Sequence, residues 1–135
     1  MNGVANGVYG GDLPNQINTP WIDFSEQSTI VGWSSFTTKS IRYKVIGNTV
    51  CVLFNIQGTS NSATTNFTLP VIIKNVILFM NYAVDNGTAS IGLGYMTASN
   101  INTISFQRYS ALNTPTPTWT ASGTKQIIGQ FFYEI

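Results

Sequence analysis

The side chains able to do acid–base chemistry are few. The carboxylates are Asp12, Asp23, Glu26, Asp85 and Glu134. A glycoside hydrolase needs two carboxyl groups held on either side of the bond it cleaves. Asp23 and Glu26 are the one pair close in sequence, and they read more simply as a strand-end acid followed by a loop acid. Asp85-Asn86-Gly87 could turn its oxygens toward calcium. A calcium site takes about six to eight oxygens and usually more than one acid, whereas a tight turn accounts for all three residues. The chain has no histidine and one cysteine. That excludes a Ser-His-Asp or Cys-His catalytic set within one chain, a zinc site with histidine ligands, and an intramolecular disulfide. Cys51 lies within a strong strand pattern and is expected to be a buried structural thiol. No catalytic residue, metal ligand or cofactor is therefore assigned.

Aromatic side chains offer a different chemistry. A ring exposed on a loop can stack against a sugar, giving apolar area at small entropic cost. Trp119 follows Pro115-Thr116-Pro117-Thr118 and Tyr109 precedes the same loop. These two are the candidates for glycan contact. The competing expectation for Trp119 is a plug at the end of the core. Trp21 and Trp33 are expected in the core or in subunit contacts.

The elements that must position these residues are strands. Only 8% of the 135 residues are charged, while 43% are hydrophobic, and the net charge is +1. Six scattered basic residues do not make a nucleic-acid footprint. The longest apolar run, Val76 to Met80, is too short to cross a membrane as a helix. The amino-terminal residues lack the basic and apolar regions of a secretory signal, so folding in a cytoplasm is expected.

From Trp21 onward the hydrophobic period is two. Ile41, Tyr43 and Val45 share one face of a strand. Gly47-Asn48 suits a two-residue turn, and Val50, Val52, Phe54 and Ile56 share one face of the returning strand. Further strands are predicted at 64–69, 76–84, 89–96 (Ile91, Leu93 and Tyr95 inward), 101–109 and 125–135. Residues 110–117 read as a loop. The last strand is apolar on both faces, with Ile127, Phe131, Tyr133 and Ile135 on one and Ile128 and Phe132 on the other. About eight closely spaced strands without a helical period predict an all-β fold, an antiparallel β-sandwich of jelly-roll type. It forms one domain, 21–135, behind an extended arm, 1–20, rich in Gly and Asn.

Several stretches carry a resemblance. They are Gly32-Trp33-Ser34-Ser35-Phe36-Thr37-Thr38-Lys39, Ile41-Arg42-Tyr43-Lys44-Val45-Ile46-Gly47-Asn48-Thr49-Val50, Gly58-Thr59-Ser60-Asn61-Ser62 and Phe67-Thr68-Leu69-Pro70. Trp119-Thr120-Ala121-Ser122-Gly123-Thr124-Lys125 and Gly129-Gln130-Phe131-Phe132-Tyr133-Glu134 complete the set. Together they resemble a β-domain of tailed-bacteriophage virion proteins, found in tail-fibre, baseplate and other surface components. The resemblance runs from Trp21 to the last residue and is loosest between Val71 and Pro117. It implies a non-enzymatic virion component, a homotrimer displayed on the particle surface. The domain stands almost alone here, which favours a capsid decoration protein or head-fibre tip over a tail fibre.

On this reading the arm docks to capsid or fibre subunits through Val4, Val8, Tyr9, Leu13 and Ile17. Ile128, Phe132, Val76 and Leu78 are the expected subunit contacts. A host-surface glycan is a further expected partner; nucleic acid and membrane are not. The alternative is a carbohydrate-binding module or receptor-binding adhesin that uses exposed aromatics. A depolymerase is the weakest reading, because so few acids can pair.

Overall fold

The computed structural model describes residues 17–96, 101–109 and 118–135. The expected docking residues Val4, Val8, Tyr9 and Leu13, and the loop 110–117, lie outside the described residues. Among the described residues there are nine strands and no helix. The strands are β1 (Ile22–Asp23), β2 (Ile30–Val31), β3 (Trp33–Ile46), β4 (Thr49–Ser60), β5 (Asn66–Thr68), β6 (Leu78–Asp85), β7 (Thr88–Tyr95), β8 (Thr103–Tyr109) and β9 (Thr124–Glu134). All pair antiparallel in one sheet, in the order β1-β3-β4-β9-β6-β7-β8-β5-β2.

A single residue makes this sheet curl. β2 lies on one edge of the sheet and pairs with β5, whereas β3 lies near the other edge. Gly32 alone joins β2 to β3. Neighbouring Cα atoms are about 3.8 Å apart, so the two edges must come together at this point. The result is a curled half-barrel with its core on the concave face. Gly32 has φ +118°, in the region that only glycine enters without strain, and a Cβ there would press on the Thr64 carbonyl oxygen.

The long hairpin forms as the sequence predicts. Gly47 takes φ +56° in the turn, and Ile41 pairs with Phe54 and Val45 with Val50. Val50, Val52, Phe54 and Ile56 are all buried. Phe54 is the centre of an aromatic core. Its ring centroid lies 5.4 Å from Phe67, 5.3 Å from Phe106 and 6.1 Å from both Phe79 and Phe131. Those rings come from both halves of the sheet, so the centre of the core joins residues far apart in sequence.

β9 is central, between β4 and β6. It pairs with β4 along its full length but with β6 only from Tyr82 to Asp85. Beyond that point β6 and β9 diverge. The Phe79 ring crosses the split and stacks on Phe131, with centroids 4.3 Å apart.

Two expectations about facing need correction. On β7 the predicted inward set Ile91, Leu93 and Tyr95 points outward, while Gly92 and Gly94 are buried. The reason lies on β6: the Asn81 and Phe79 side chains lie over those glycines and fill the space a Cβ would need. The glycines do admit close approach of a neighbour, as their size implies. Cys51 is half-buried rather than in the core. It pairs with Phe132 on β9 and lies in the outward phase of β4, whose inward phase holds Val50 and Val52.

Candidate functional site

The closed end of the sheet holds a buried charged cluster. Inward positions on β9 alternate as Lys125, Ile127, Gly129, Phe131 and Tyr133, so a lysine stands where the strand period demands an apolar residue. Lys125 is 0% exposed. Its Nζ donates to the carbonyl oxygens of Gly32 (3.1 Å) and Ser62 (2.7 Å) and to Thr65 Oγ1 (2.9 Å). The ammonium also sits over the rings of Trp33 and Trp119, at 5.1 and 5.2 Å. These partners replace part of the lost hydration but not all of it. Burial pulls the Lys125 pKa down to about 8, the Asp85 carboxylate holds it up in part, and Arg108 lowers it further.

Arg108 occupies the inward phase of β8 with Ile104 and Phe106, and Asp85 ends β6. The two are 7% and 5% exposed. Arg108 Nη2 lies 3.0 Å from Asp85 Oδ2 and donates to the Thr118 carbonyl oxygen at 3.0 Å. Asp85 also accepts from Thr120 N (3.1 Å) and Thr120 Oγ1 (2.8 Å). Arg108 Nε is buried with no hydrogen-bond partner among the described residues. Trp119 ties the cluster together: its Nε1 donates to the Phe106 carbonyl oxygen at 3.0 Å, and its ring lies 5.3 Å from the Arg108 guanidinium.

Two concave features flank the sheet. A cleft of about 330 Å³ beside this cluster is walled by Thr64, Thr65, Ser105, Gln107, Arg108 and Trp119. At the other end, where β6 leaves β9, a groove of about 740 Å³ is lined mainly by apolar side chains, among them Trp21, Leu53, Val76, Leu78 and Phe132. Phe132, Val76 and Leu78 are 74%, 68% and 67% exposed, and Met80 and Tyr82 continue the outward face of β6.

The structure brings some predicted residues together and separates others. Phe132, Val76 and Leu78 meet at the groove, while Ile128 is half-buried on the same outward phase of β9. Trp119 is only 4% exposed, so it is not the open platform expected for a sugar; it is the core plug that competed with that reading. Its indole and the half-buried Tyr109 belong to opposite faces of β8, because Tyr109 is out of phase with Phe106 and Arg108. Ile17 is exposed, and its carbonyl oxygen accepts from Gly47 N beside the end of β3.

Asp23 and Glu26 do not face one another as a catalytic pair would. Asp23 accepts from Ser25 Oγ (2.6 Å) and Ser25 N (2.9 Å), which hold its carboxyl below the usual range. Glu26 is paired with Lys39 at 3.1 Å. Among the described residues no three His, Cys, Asp or Glu side chains cluster as metal ligands.

The buried Lys125, Arg108 and Asp85 set was not among the predicted sites. The signal that could have found it is strand phase. Extending the inward alternation of Ile127, Phe131 and Tyr133 back by one step reaches Lys125, and extending that of Ile104 and Phe106 forward reaches Arg108. No protein-family model matches the chain, and no curated protein matches it.

Proposed function

We propose that this chain is a non-enzymatic structural protein of a tailed-bacteriophage virion, a surface-displayed β-domain that works as an oligomer. The observation that carries the assembly part is the apolar face around Phe132, Leu78 and Val76, each more than two-thirds exposed. Soluble monomers rarely leave large contiguous apolar patches in water. A second copy, or two copies around a threefold axis, would cover this face. The virion part is supported by the resemblance of the stretches from Gly32 to Pro70 and from Trp119 to Glu134.

Divergence of β6 from β9 supports two layers, β1-β3-β4-β9 and β6-β7-β8-β5-β2, packed as a jelly-roll-like sandwich around Phe54. In this reading residues 1–20 form the docking arm on capsid or fibre subunits, and the mature location is the particle surface.

The test is a double substitution, Leu78→Ser with Phe132→Ser, followed by analytical ultracentrifugation. Both side chains are exposed on the single chain, so the β-sheet circular dichroism should hold while the trimer dissociates. A wild-type chain that sediments as a monomer at micromolar concentration refutes the assembly reading. Removal of residues 1–19 should leave the β-domain folded but absent from purified particles, and normal incorporation would overturn the docking role.

A further inference from the structure

The cluster at the closed end carries unbalanced charge. Lys125 and Arg108 are two buried cations, and Asp85 is the one buried anion beside them among the described residues. The other acids among the described residues are elsewhere. Glu26 pairs with Lys39, and Asp23 is held by Ser25. Glu134 stands nine residues along β9 from Lys125, about 30 Å away at strand rise. Residues 97–100 and 110–117 contain no charged side chain. Among the described residues, then, a net positive charge lies under the protein surface without a counter-ion. A buried charge of this kind is costly unless something of opposite sign approaches it.

The adjoining cleft is built to receive such a group. Arg108 forms part of its wall, and Arg108 Nε is a buried donor without a partner among the described residues. Arg108 lines the cleft directly, and the Lys125 ammonium lies one hydrogen bond behind its wall, on Thr65. The remaining wall is rich in hydroxyl and amide groups, from Thr64, Ser105, Thr118 and Gln107, with the Tyr95 ring alongside. Inorganic phosphate favours several free cations or converging backbone N–H groups. This wall instead mixes neutral hydroxyls with aromatic surface, which suits a ring bearing many hydroxyls and one negative charge. A volume of about 330 Å³ falls at the small end of the range for ligand sites, roughly 300–1,000 Å³.

We propose that this cleft binds one acidic saccharide unit, a hydroxylated ring carrying a carboxylate, with the carboxylate set toward Arg108 and the ring hydroxyls toward Thr64, Ser105 and Gln107. The proposal stands apart from the virion reading, since it concerns only this end of the domain.

The chain contains two arginines, Arg42 and Arg108, which gives the experiment an internal control. Full-length ¹⁵N-labelled protein is titrated with sodium glucuronate, with glucose and with sodium acetate, and the arginine Nε–H resonances are followed. Glucuronate should shift the Arg108 signal and leave Arg42 in place. It should bind about tenfold more tightly than glucose, the ratio that one charge-assisted hydrogen bond provides, and more tightly than acetate, which lacks the ring hydroxyls. Gln107→Ala, at an exposed rim position, should weaken glucuronate several-fold with an unchanged unfolding midpoint. No shift at Arg108, equal shifts at both arginines, equal binding of glucose or acetate, or full affinity in the Gln107 variant would each overturn the proposal.

Discussion

Replacing Asp85 with asparagine isolates the charge balance at the closed end. The side chain keeps its volume and one acceptor but loses its charge. Asp85 accepts from Arg108 Nη2, Thr120 N and Thr120 Oγ1, and it supplies the nearest negative charge to Lys125. The amide of the substituted side chain would point a donor at groups that already donate. Removing one partner of a buried ion pair costs about 3–5 kcal/mol, because the remaining charge stays buried. For a domain of this size each kcal/mol is worth about 3–4 °C, so the midpoint should fall by about 10–20 °C. Urea unfolding followed by tryptophan fluorescence reads this directly, since Trp33 and Trp119 both lie over Lys125. The same substitution in a Lys125→Met background should cost at least about 1 kcal/mol less, because one of the two stranded cations is gone. A loss below about 1 kcal/mol in the wild-type background would refute the reasoning. Equal losses in the two backgrounds would remove Lys125 from it.

Stability should also depend on alkaline pH. Lys125 has a folded pKa of about 8 against 10.5 when free, so the unfolded chain binds more protons between those values and stability rises across that window. The full rise is about 3 kcal/mol, and it vanishes in Lys125→Met. Burial pushes the Tyr133 hydroxyl above its ordinary value of 10.0, so stability falls once pH passes that value and the unfolded tyrosine ionises. Unfolding free energy measured by urea titration should therefore peak near pH 10; a steady decline from pH 8 would contradict the Lys125 assignment, and a curve that does not fall above pH 10 would contradict the Tyr133 one. Phe54→Ala should cost about 3–5 kcal/mol, since its ring is packed among four others and the cavity cannot close easily. A loss under about 1 kcal/mol in chemical unfolding would show that the core collapses around the gap. Gly32→Ala should lower the thermal midpoint through positive φ and the Thr64 carbonyl, and an unchanged midpoint would remove Gly32 as the closing corner.

The features legible in the sequence are those set by local alternation. The hairpin of β3 and β4 follows from one apolar face on each strand and a turn pair that tolerates positive φ. The inward set of β9 follows in the same way. The features that escape are set by contacts distant in sequence. Bulky residues on β7 suggest an inward face, because nothing near Gly92 and Gly94 tells that Asn81 and Phe79 already occupy the space over them. Lys125 and Arg108 do not stand out, because charge ordinarily marks the wet face. Their burial depends on Asp85, Gly32, Ser62 and Thr65, which no local window contains. Trp119 suggests a ligand contact because it follows two prolines, while its hydrogen bond to the Phe106 carbonyl is visible only in three dimensions. The groove is more legible, since Phe132, Val76 and Leu78 stand out as apolar residues on the second face of otherwise satisfied strands.

The position of β9 has a consequence for synthesis on the ribosome. β4 is complete at Ser60, yet its second partner begins only at Thr124. At about 5–20 residues per second, the intervening segment takes several seconds to emerge. Throughout that interval the β3–β4 hairpin displays a bare edge of eleven residues, the stretch from Thr49 to Thr59 that later pairs with β9. Such an edge is open to pairing with the same edge on a neighbouring nascent chain. Translation of many copies along one messenger therefore places identical unfinished edges close together. The hairpin's defence is its own chemistry: Asn55, Gln57 and Thr59 roughen the outward side of that edge, and Gly58 interrupts it. A chain stopped before Thr124 lacks the middle of its sheet rather than its margin, so a slow codon run between Ser60 and Thr124 would favour aggregates over shortened but usable domains.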